Sequence, residues 1–249
     1  MQITTIRTHK ITVADTDLFA VLDAYVPRLA EQTVLAITSK IVSICQGHVV
    51  RVEGADKQQV IEREADLFLP PDENRYHVTL TIKENVLIPN AGLDESNSDH
   101  HYVLWPQNAQ ATANAIRNYL CQRDRRRMLG VLITDSKTTP LRWGVTGVAV
   151  AHSGFGALND YVGREDIFGR PLRMTKVNVA DGLAAAAVLV MGEGDEQTPL
   201  AVLRDLPFVR FQDRDPTAEE LASLQIAIED DLYAPLLKSV AWRAGGGDQ

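Results

Sequence analysis

The stretch from Val131 to Gly147, VLITDSKTTPLRWGVTG, constrains this chain more than any other. Val131, Leu132 and Ile133 form an apolar run that reads as a buried strand. The run ends abruptly in Thr134, Asp135 and Ser136, followed by Lys137, two threonines, Pro140 and Arg142. A carboxylate at the mouth of a buried strand, beside hydroxyls and cations, can present a metal or a phosphate to a ligand. It can equally cap a turn. Two further acidic loops, one on each side in sequence, favour the first reading.

The earlier loop is PNAGLDESN, in which Asp94, Ser96 and Asn97 offer hard oxygens and hydrogen bonds and small residues let the backbone approach a ligand. It follows two β-branched runs, His77–Lys83 and Val86–Ile88, with Glu84-Asn85 between them reading as a hairpin turn. The later loop, Gly192-Glu193-Gly194-Asp195-Glu196-Gln197-Thr198, leaves an alanine-rich helix, Val179–Met191, apolar enough to require burial. Its glycines allow backbone amides to wrap a phosphate. The GxxxxGK[ST] phosphate loop is absent.

The remaining chain reads as alternating strands and helices. A strand is expected within Met1–Val13, a helix over Asp17–Leu29 and a strand at Thr33–Ile37. Lys40 and Ser43 follow that strand, where they could line a pocket or be solvated. Helical patterns cover Gln58–Leu69 and Ala109–Leu120, the latter followed by the basic run Arg123–Arg127, read as a solvated helix end. Val145–Ala151 and Leu200–Leu203 are further strands, and TAEE from Thr217 to Glu220 is a capping box opening a helix through about Leu232. His100-His101 lacks the spaced partners of a zinc site. His152-Ser153 lacks a nucleophile elbow, so His152 reads as a hydrogen-bonded structural residue. Arg142, Arg164 and Lys176 could supply positive charge to an anionic substrate or lie on the surface.

Composition narrows the partners. A chain of 249 residues with formal net charge −8 is unsuited to nucleic-acid backbones or anionic membranes, so an anionic small substrate needs a local basic pocket or metal ions. Two cysteines, Cys45 and Cys121, give no disulfide framework, no apolar run approaches a membrane span, and the N-terminus lacks a signal-peptide core. A cytoplasmic protein is expected.

Four segments together carry a resemblance: PNAGLDESN, VLITDSKTTPLRWGVTG, ALNDYVGREDIFGRPL and VADGLAAAAVLVMGEG. In this order they resemble the coenzyme F-420-0:L-glutamate ligase superfamily. DESN, TDSKTTPLRWG and the C-terminal DLYAPLLKSV are most similar to its bacterial branch of folate-metabolism γ-glutamate ligases. The resemblance implies a mixed α/β chain with the two-domain fold of that ligase type, in an intertwined homodimer. On that basis residues 1–210 are a ligase core of two interleaved subdomains, 211–244 a helical segment and 245–249 a disordered tail.

The resemblance further implies that L-glutamate is joined to a carboxylate of a folate-type acceptor, at the expense of ATP or GTP and with two Mg²⁺ or Mn²⁺ ions. The alternatives are a coenzyme F-420-0 acceptor and a non-catalytic nucleotide- or folate-binding homologue. The implied metal-binding and catalytic carboxylates are Asp94, Asp135 and Glu193, with Ser136 as a further metal ligand. Nucleotide contacts fall on Ser39, Lys40, Asn97, Met191, Gly192, Gly194, Asp195 and Thr198. The chain departs from the pattern at SICQG, where Ile44 stands in place of the nucleotide-contacting lysine of SKAEG. The residue types suit the chemistry. A carboxylate must be activated, most simply as an acyl phosphate, before an amine attacks it, and divalent cations would neutralise the charge that develops on transfer.

Overall fold

The computed structural model describes residues 1–246. In chain order the elements are β1 (Gln2–Ile6), α1 (Leu18–Tyr25), β2 (Thr33–Thr38), α2 (Ser39–Cys45), β3 (Val49–Arg51), α3 (Lys57–Glu64) and β4 (Leu67–Leu69). Then follow β5 (Leu80–Lys83), β6 (Val86–Pro89), β7 (His101–Val103), α4 (Ala109–Asp124), β8 (Leu129–Thr138), β9 (Val145–Ser153), β10 (Leu158–Asp160) and β11 (Lys176–Asn178). The chain closes with α5 (Val179–Met191), β12 (Leu200–Arg204), α6 (Ala218–Leu224), α7 (Ala234–Leu237) and β13 (Arg243–Ala244).

The main sheet has the order β1-β12-β2-β8-β9, with β2 and β8 parallel and the other pairs antiparallel. Strand β2 is buried along almost its whole length because both faces of the sheet are covered. Leu35, Ile37, Val131 and Ile133 face a core shared with α1, α2 and α4, including Leu22, Ile116 and Leu120. The alternate residues Val34, Ala36 and Leu132 face Leu183, Ala184 and Ala187 of α5. Helix–sheet–helix layering follows from this two-residue alternation. A smaller antiparallel sheet, β13-β4-β5-β6, packs with α3 and β7 around a third core of Val60, Ile61, Phe68, Ala91, Leu93, Tyr102 and Leu104.

The strand β8 outlasts its apolar run. It continues through Asp135 to Thr138, paired with β9, and the ladder shifts register between Ile133 and Thr134. That irregularity leaves Val150 out of the pairing and re-aims the polar half of the strand. Helix α1 is shorter than expected, opening on the Asp17 cap and ending at Tyr25. Residues 67–69, read as helix, are instead β4, because Glu64 ends α3 ahead of Pro70. The hairpin turn at Glu84-Asn85 is present, with φ of 46° and 65°.

Other expectations change as well. Helix α5 is buried on one face only: Leu183, Ala184 and Ala187 are covered while Leu189 and Val190 are exposed. Of the basic run at the end of α4, Arg125, Arg126 and Arg127 are exposed as expected, but Arg123 is not solvated. Arg123 donates to Asp124 and to the carbonyls of Leu22 and Pro27, stapling α4 to the end of α1 over a buried carboxylate. The capping box at Thr217 and Glu220 forms, but its helix stops at Leu224 instead of reaching Leu232. Gly245 and Gly246, expected in a disordered tail, are hydrogen-bonded to Asp66 and Glu62; residues 247–249 of that tail lie outside the described residues. His152 is buried against Phe155, their ring centroids 5.3 Å apart, and the ring has no hydrogen-bond partner among the described residues. Its burial pushes the imidazole pKa down to about 4.

Helix α5 and β9 approach so closely that a Cβ on Gly147 would lie 2.3 Å from the Ala184 carbonyl oxygen. Backbone cannot retreat as a flexible side chain can. We therefore expect Gly147→Ala to destabilise the fold by roughly 1–3 kcal/mol in urea unfolding. Gly182→Ala on the same helix, where a Cβ meets nothing within 4 Å, should stabilise it by about 0.5–1 kcal/mol.

Candidate active site

The ends of β2 and β8 point the same way, and α2 starts where β2 stops. Ser39 and Lys40 at that junction, Asp135 and Ser136 on β8, and the loops after β6 and α5 surround one cavity of about 580 Å³. All twelve candidate residues line it: Ser39, Lys40, Asp94, Asn97, Asp135, Ser136, Met191, Gly192, Glu193, Gly194, Asp195 and Thr198. Residues nearly a hundred positions apart are thereby brought into contact.

Asp135 sits at the cavity floor. Its Oδ2 accepts from the Ser39 hydroxyl at 2.9 Å, and its Oδ1 accepts from the Ser136 amide at 2.7 Å. Gly92 lines the cavity with buried Trp105 behind it, and a Cβ at Gly92 would fall 2.4 Å from the indole and 3.6 Å from Asp135 Oδ2. Burial raises the Asp135 pKa to about 7, with the Asp94 charge adding to the rise and the two hydrogen bonds and Lys40 opposing it.

Asp94 is treated differently. Burial alone would raise its pKa, but the Lys40 ammonium 2.5 Å away and hydrogen bonds from Ser96 hold it below the usual carboxylate range. Lys40 also donates to the Ser96 carbonyl at 2.9 Å. Glu193 accepts from the Ser136 hydroxyl at 3.3 Å, and burial raises its pKa. Asn97 Nδ2 donates to the Gly194 carbonyl at 2.9 Å, joining the first acidic loop to the third. The Gly194 amide donates to Glu196 at 2.9 Å, so the amide expected to cradle a phosphate already binds a carboxylate. Thr198 closes that loop by donating to the Met191 carbonyl.

Among the described residues no three His, Cys, Asp or Glu side chains are drawn into a closed metal cage. The three carboxylates face the cavity with Lys40 as their counter-ion. Asp94, Asp135 and Glu193, with the Ser136 hydroxyl, are hard oxygen donors of the kind Mg²⁺ and Mn²⁺ take, and few protein ligands suffice when substrate phosphates complete the shell. The donor set fits such ions.

Several side chains behave otherwise than their sequence context suggested. Ser43 is fully buried in the core and its hydroxyl has no partner among the described residues, so it does not reach the cavity. Ile44 lines the wall where the related pattern has lysine, leaving Lys40 as the cation facing the three carboxylates. Arg142 is exposed in the β8–β9 turn, Arg164 lies over the Tyr161 ring, and Lys176 pairs with Asp160 at 3.7 Å; none of the three lines the cavity. The ring of His101 is tied by a backbone carbonyl, that of Asp99 at 2.7 Å. Sequence reasoning missed Thr8, His9, Lys10 and Thr12, which form another wall between β1 and α1. His9 is clamped there by Tyr25 at 2.7 Å and Asp15 at 2.8 Å. An alternation of hydroxyl and basic residues was the only trace of that wall in the sequence.

A cavity at the carboxyl ends of adjacent parallel strands, walled by loops that carry opposed charges, defines an α/β enzyme handling a polar, charged substrate. The chain belongs to the family described as F420-0:Gamma-glutamyl ligase, whose profile matches residues 5–205. It is 35% identical to the coenzyme F420:L-glutamate ligase of Methanopyrus kandleri over 214 residues, covering 76% of this chain and 81% of that protein. It is 38% identical to the enzyme of the same name from Methanocaldococcus jannaschii over 159 residues, 63% of each chain. The match to the Methanococcus maripaludis strain C6 protein of that name, 38% over 151 residues, spans 61% of this chain and 58% of the relative. Among the described residues no helix is long and apolar enough to cross a membrane.

Asp135 yields a two-sided prediction. Its carboxyl is neutral at acid pH, and the folded state loses stability as pH rises from about 4 through 7 and the charge is forced on. In metal-free protein at pH 8, Asp135→Asn should therefore raise unfolding stability, on the order of 1–3 kcal/mol. If the Asp135 carboxylate clamps a metal, the same substitution should lower ligase turnover at least about 100-fold. Unchanged turnover would remove Asp135 from the site.

Proposed function

We propose that the protein forms an amide bond between L-glutamate and a carboxylate of a cofactor acceptor, at the expense of ATP or GTP and with Mg²⁺ or Mn²⁺. The observation that carries this reading is the meeting of Asp94, Asp135 and Glu193 with Lys40 in one cavity. The acceptor proposed first is a coenzyme F420-type compound, because the relatives bear that name. A folate acceptor, expected from the motif resemblance, finds no support among these relatives. It stays as a second reading on one observation: DLYAPLLKSV lies beyond residue 205, outside the family match.

The reaction proceeds in two balanced steps. An acceptor carboxylate oxygen attacks the terminal phosphorus of the nucleotide, and the nucleoside diphosphate leaves. The glutamate amine then attacks the acyl carbon, inorganic phosphate leaves, and the nitrogen gives up a proton. Divalent cations supply charge neutralisation at the phosphates. They would be held by Asp94, Asp135, Glu193 and Ser136. The chain's own work is to orient and to exclude water. Ser39 and the Ser136 amide fix both oxygens of Asp135. Lys40 is placed to meet phosphate oxygens once it leaves Asp94. Asn97, by gripping the Gly194 carbonyl, sets the distance between the two outer loops.

Purified protein with glutamate, Mg²⁺ or Mn²⁺, and ATP or GTP should yield a product one glutamyl unit heavier by mass spectrometry from either the F420-0 or the tetrahydrofolate arm. The arm that reacts names the acceptor. Glutamate-independent binding of nucleotide by calorimetry, with no product in either arm, would leave a non-catalytic binding protein instead.

A homodimer belongs to the same proposal. Leu141, Trp143, Ile167, Phe168, Met174 and Leu189 are almost fully exposed, on the β8–β9 turn, the β10–β11 excursion and the outer face of α5. Apolar surface of this kind marks an association site. Sedimentation should give twice the 27.5 kDa chain mass, and Trp143→Glu should shift the protein toward the monomer.

A further inference from the structure

The family match ends at residue 205, yet the chain goes on to Gly246 in defined contacts at both of its ends. It first adheres to the main sheet. Phe211 bridges Phe155, and the Gln212 amide donates to the Gly154 carbonyl at 2.8 Å. Asp215 accepts from the Ser153 hydroxyl at 2.9 Å and lies 3.7 Å from buried Arg117. Ser153 is opposite Val131 on β8, four residues before Asp135.

The segment then crosses to the smaller sheet. The Ile226 carbonyl accepts from Asn85 at 3.1 Å, and β13 adds a fourth strand along the edge of β4. Arg243 is opposite Phe68, Phe68 is opposite Thr81, and the Thr81 hydroxyl accepts from the Ala91 amide at 2.7 Å. Ala91 and Leu93 pack in the same core as Phe68, and the next residue is Asp94. Beyond β13, the Gly245 amide donates to the Asp66 carbonyl at 3.0 Å and the Gly246 amide to the Glu62 carbonyl at 3.1 Å. A Cβ on Gly245 would lie 2.0 Å from the Ala65 carbonyl oxygen, so only glycine docks there.

We propose that residues 211–246 form a tether that holds the smaller sheet, which leads into the loop of Asp94 and Asn97, against the main-sheet body, which carries Asp135 on β8 and Glu193 in the loop after α5, and so sets the width of the cavity. The residues that anchor it, Asp215 at one end and Gly245 at the other, are positioning residues, distant from the reacting atoms. Affinity for a ligand held by both halves falls as the population of the correctly spaced state falls. Detaching the tether therefore weakens nucleotide and metal binding more than it slows bound substrate. The proposal rests on the cavity being the nucleotide site, and its test has an arm that does not.

Two variants release the last strand: Gly245→Val, and a chain ending at Trp242. Hydrogen exchange followed by mass spectrometry reports the release directly through residues 67–69. With that release, exchange at 94–97 should rise at least about tenfold while β2 and β8 keep their protection. In the ligase assay the nucleotide KM should rise about tenfold or more with kcat changed less than about threefold. Normal exchange at 94–97 despite a released β13 would overturn the tether. So would exchange rising equally in β2 and β8, which is general destabilisation. If exchange responds as expected but the wild-type protein makes no ligated product, the functional reading fails and the tether stands.

Discussion

Three carboxylates that share one cavity in a low-dielectric protein repel one another, and the fold must hold them together against that repulsion. The structure manages this with the Lys40 ammonium beside Asp94 and a graded set of environments. Lys40 pairs with Asp94 and keeps it ionised. Asp135 is desolvated until its proton is held near neutral pH, and Glu193 is shifted in the same direction. A site so arranged is short of positive charge at the pH where a ligase works. Divalent cations and their phosphates would relieve that shortage.

The scaffold that delivers these groups is built from strand alternation. Because α4 and α5 cover opposite faces, β2 and β8 can be apolar on both sides and lie parallel at the sheet's centre. Their carboxyl ends then open together, where a ligand has room. The irregularity beside Ile133 and Thr134 converts a core strand into a site strand without breaking it. Asp135 looks toward Ser39, and Ser136 toward Glu193. The first acidic loop arrives on a different sheet with its own core, so the cavity is assembled from two packed bodies.

Much of this was legible in the sequence, and the reasons are local. The three acidic loops were recognisable because each follows a strongly apolar element, and the side chains named from them meet at one cavity. Helix α5 was found residue for residue, since nothing but a helix suits VADGLAAAAVLVM. The failures were failures of tertiary context. Residues 67–69 carry a helical pattern but pair with β5, and the helix after Thr217 ends early at Leu224. Arg123 looked solvated because its reach to the carbonyls of Leu22 and Pro27 depends on α1 packing beside α4, which leaves no mark on local composition. The wall formed by Thr8 to Thr12 gave no motif, because those residues contribute through loop shape. Acceptor identity was misjudged from local pattern: DESN and TDSKTTPLRWG are most similar to the folate branch, while the matching relatives are named for coenzyme F420.

The site as described stands or falls on where divalent cations bind. A crystal of the protein grown with Mn²⁺ and a non-hydrolysable nucleoside triphosphate analogue, measured at the manganese absorption edge, tests it most directly. Anomalous density should appear bounded by Asp94, Asp135 and Glu193, with Lys40 withdrawn from Asp94 toward phosphate oxygens. Density elsewhere on the molecule, with the Lys40–Asp94 pair intact and the cavity holding no manganese, would contradict it.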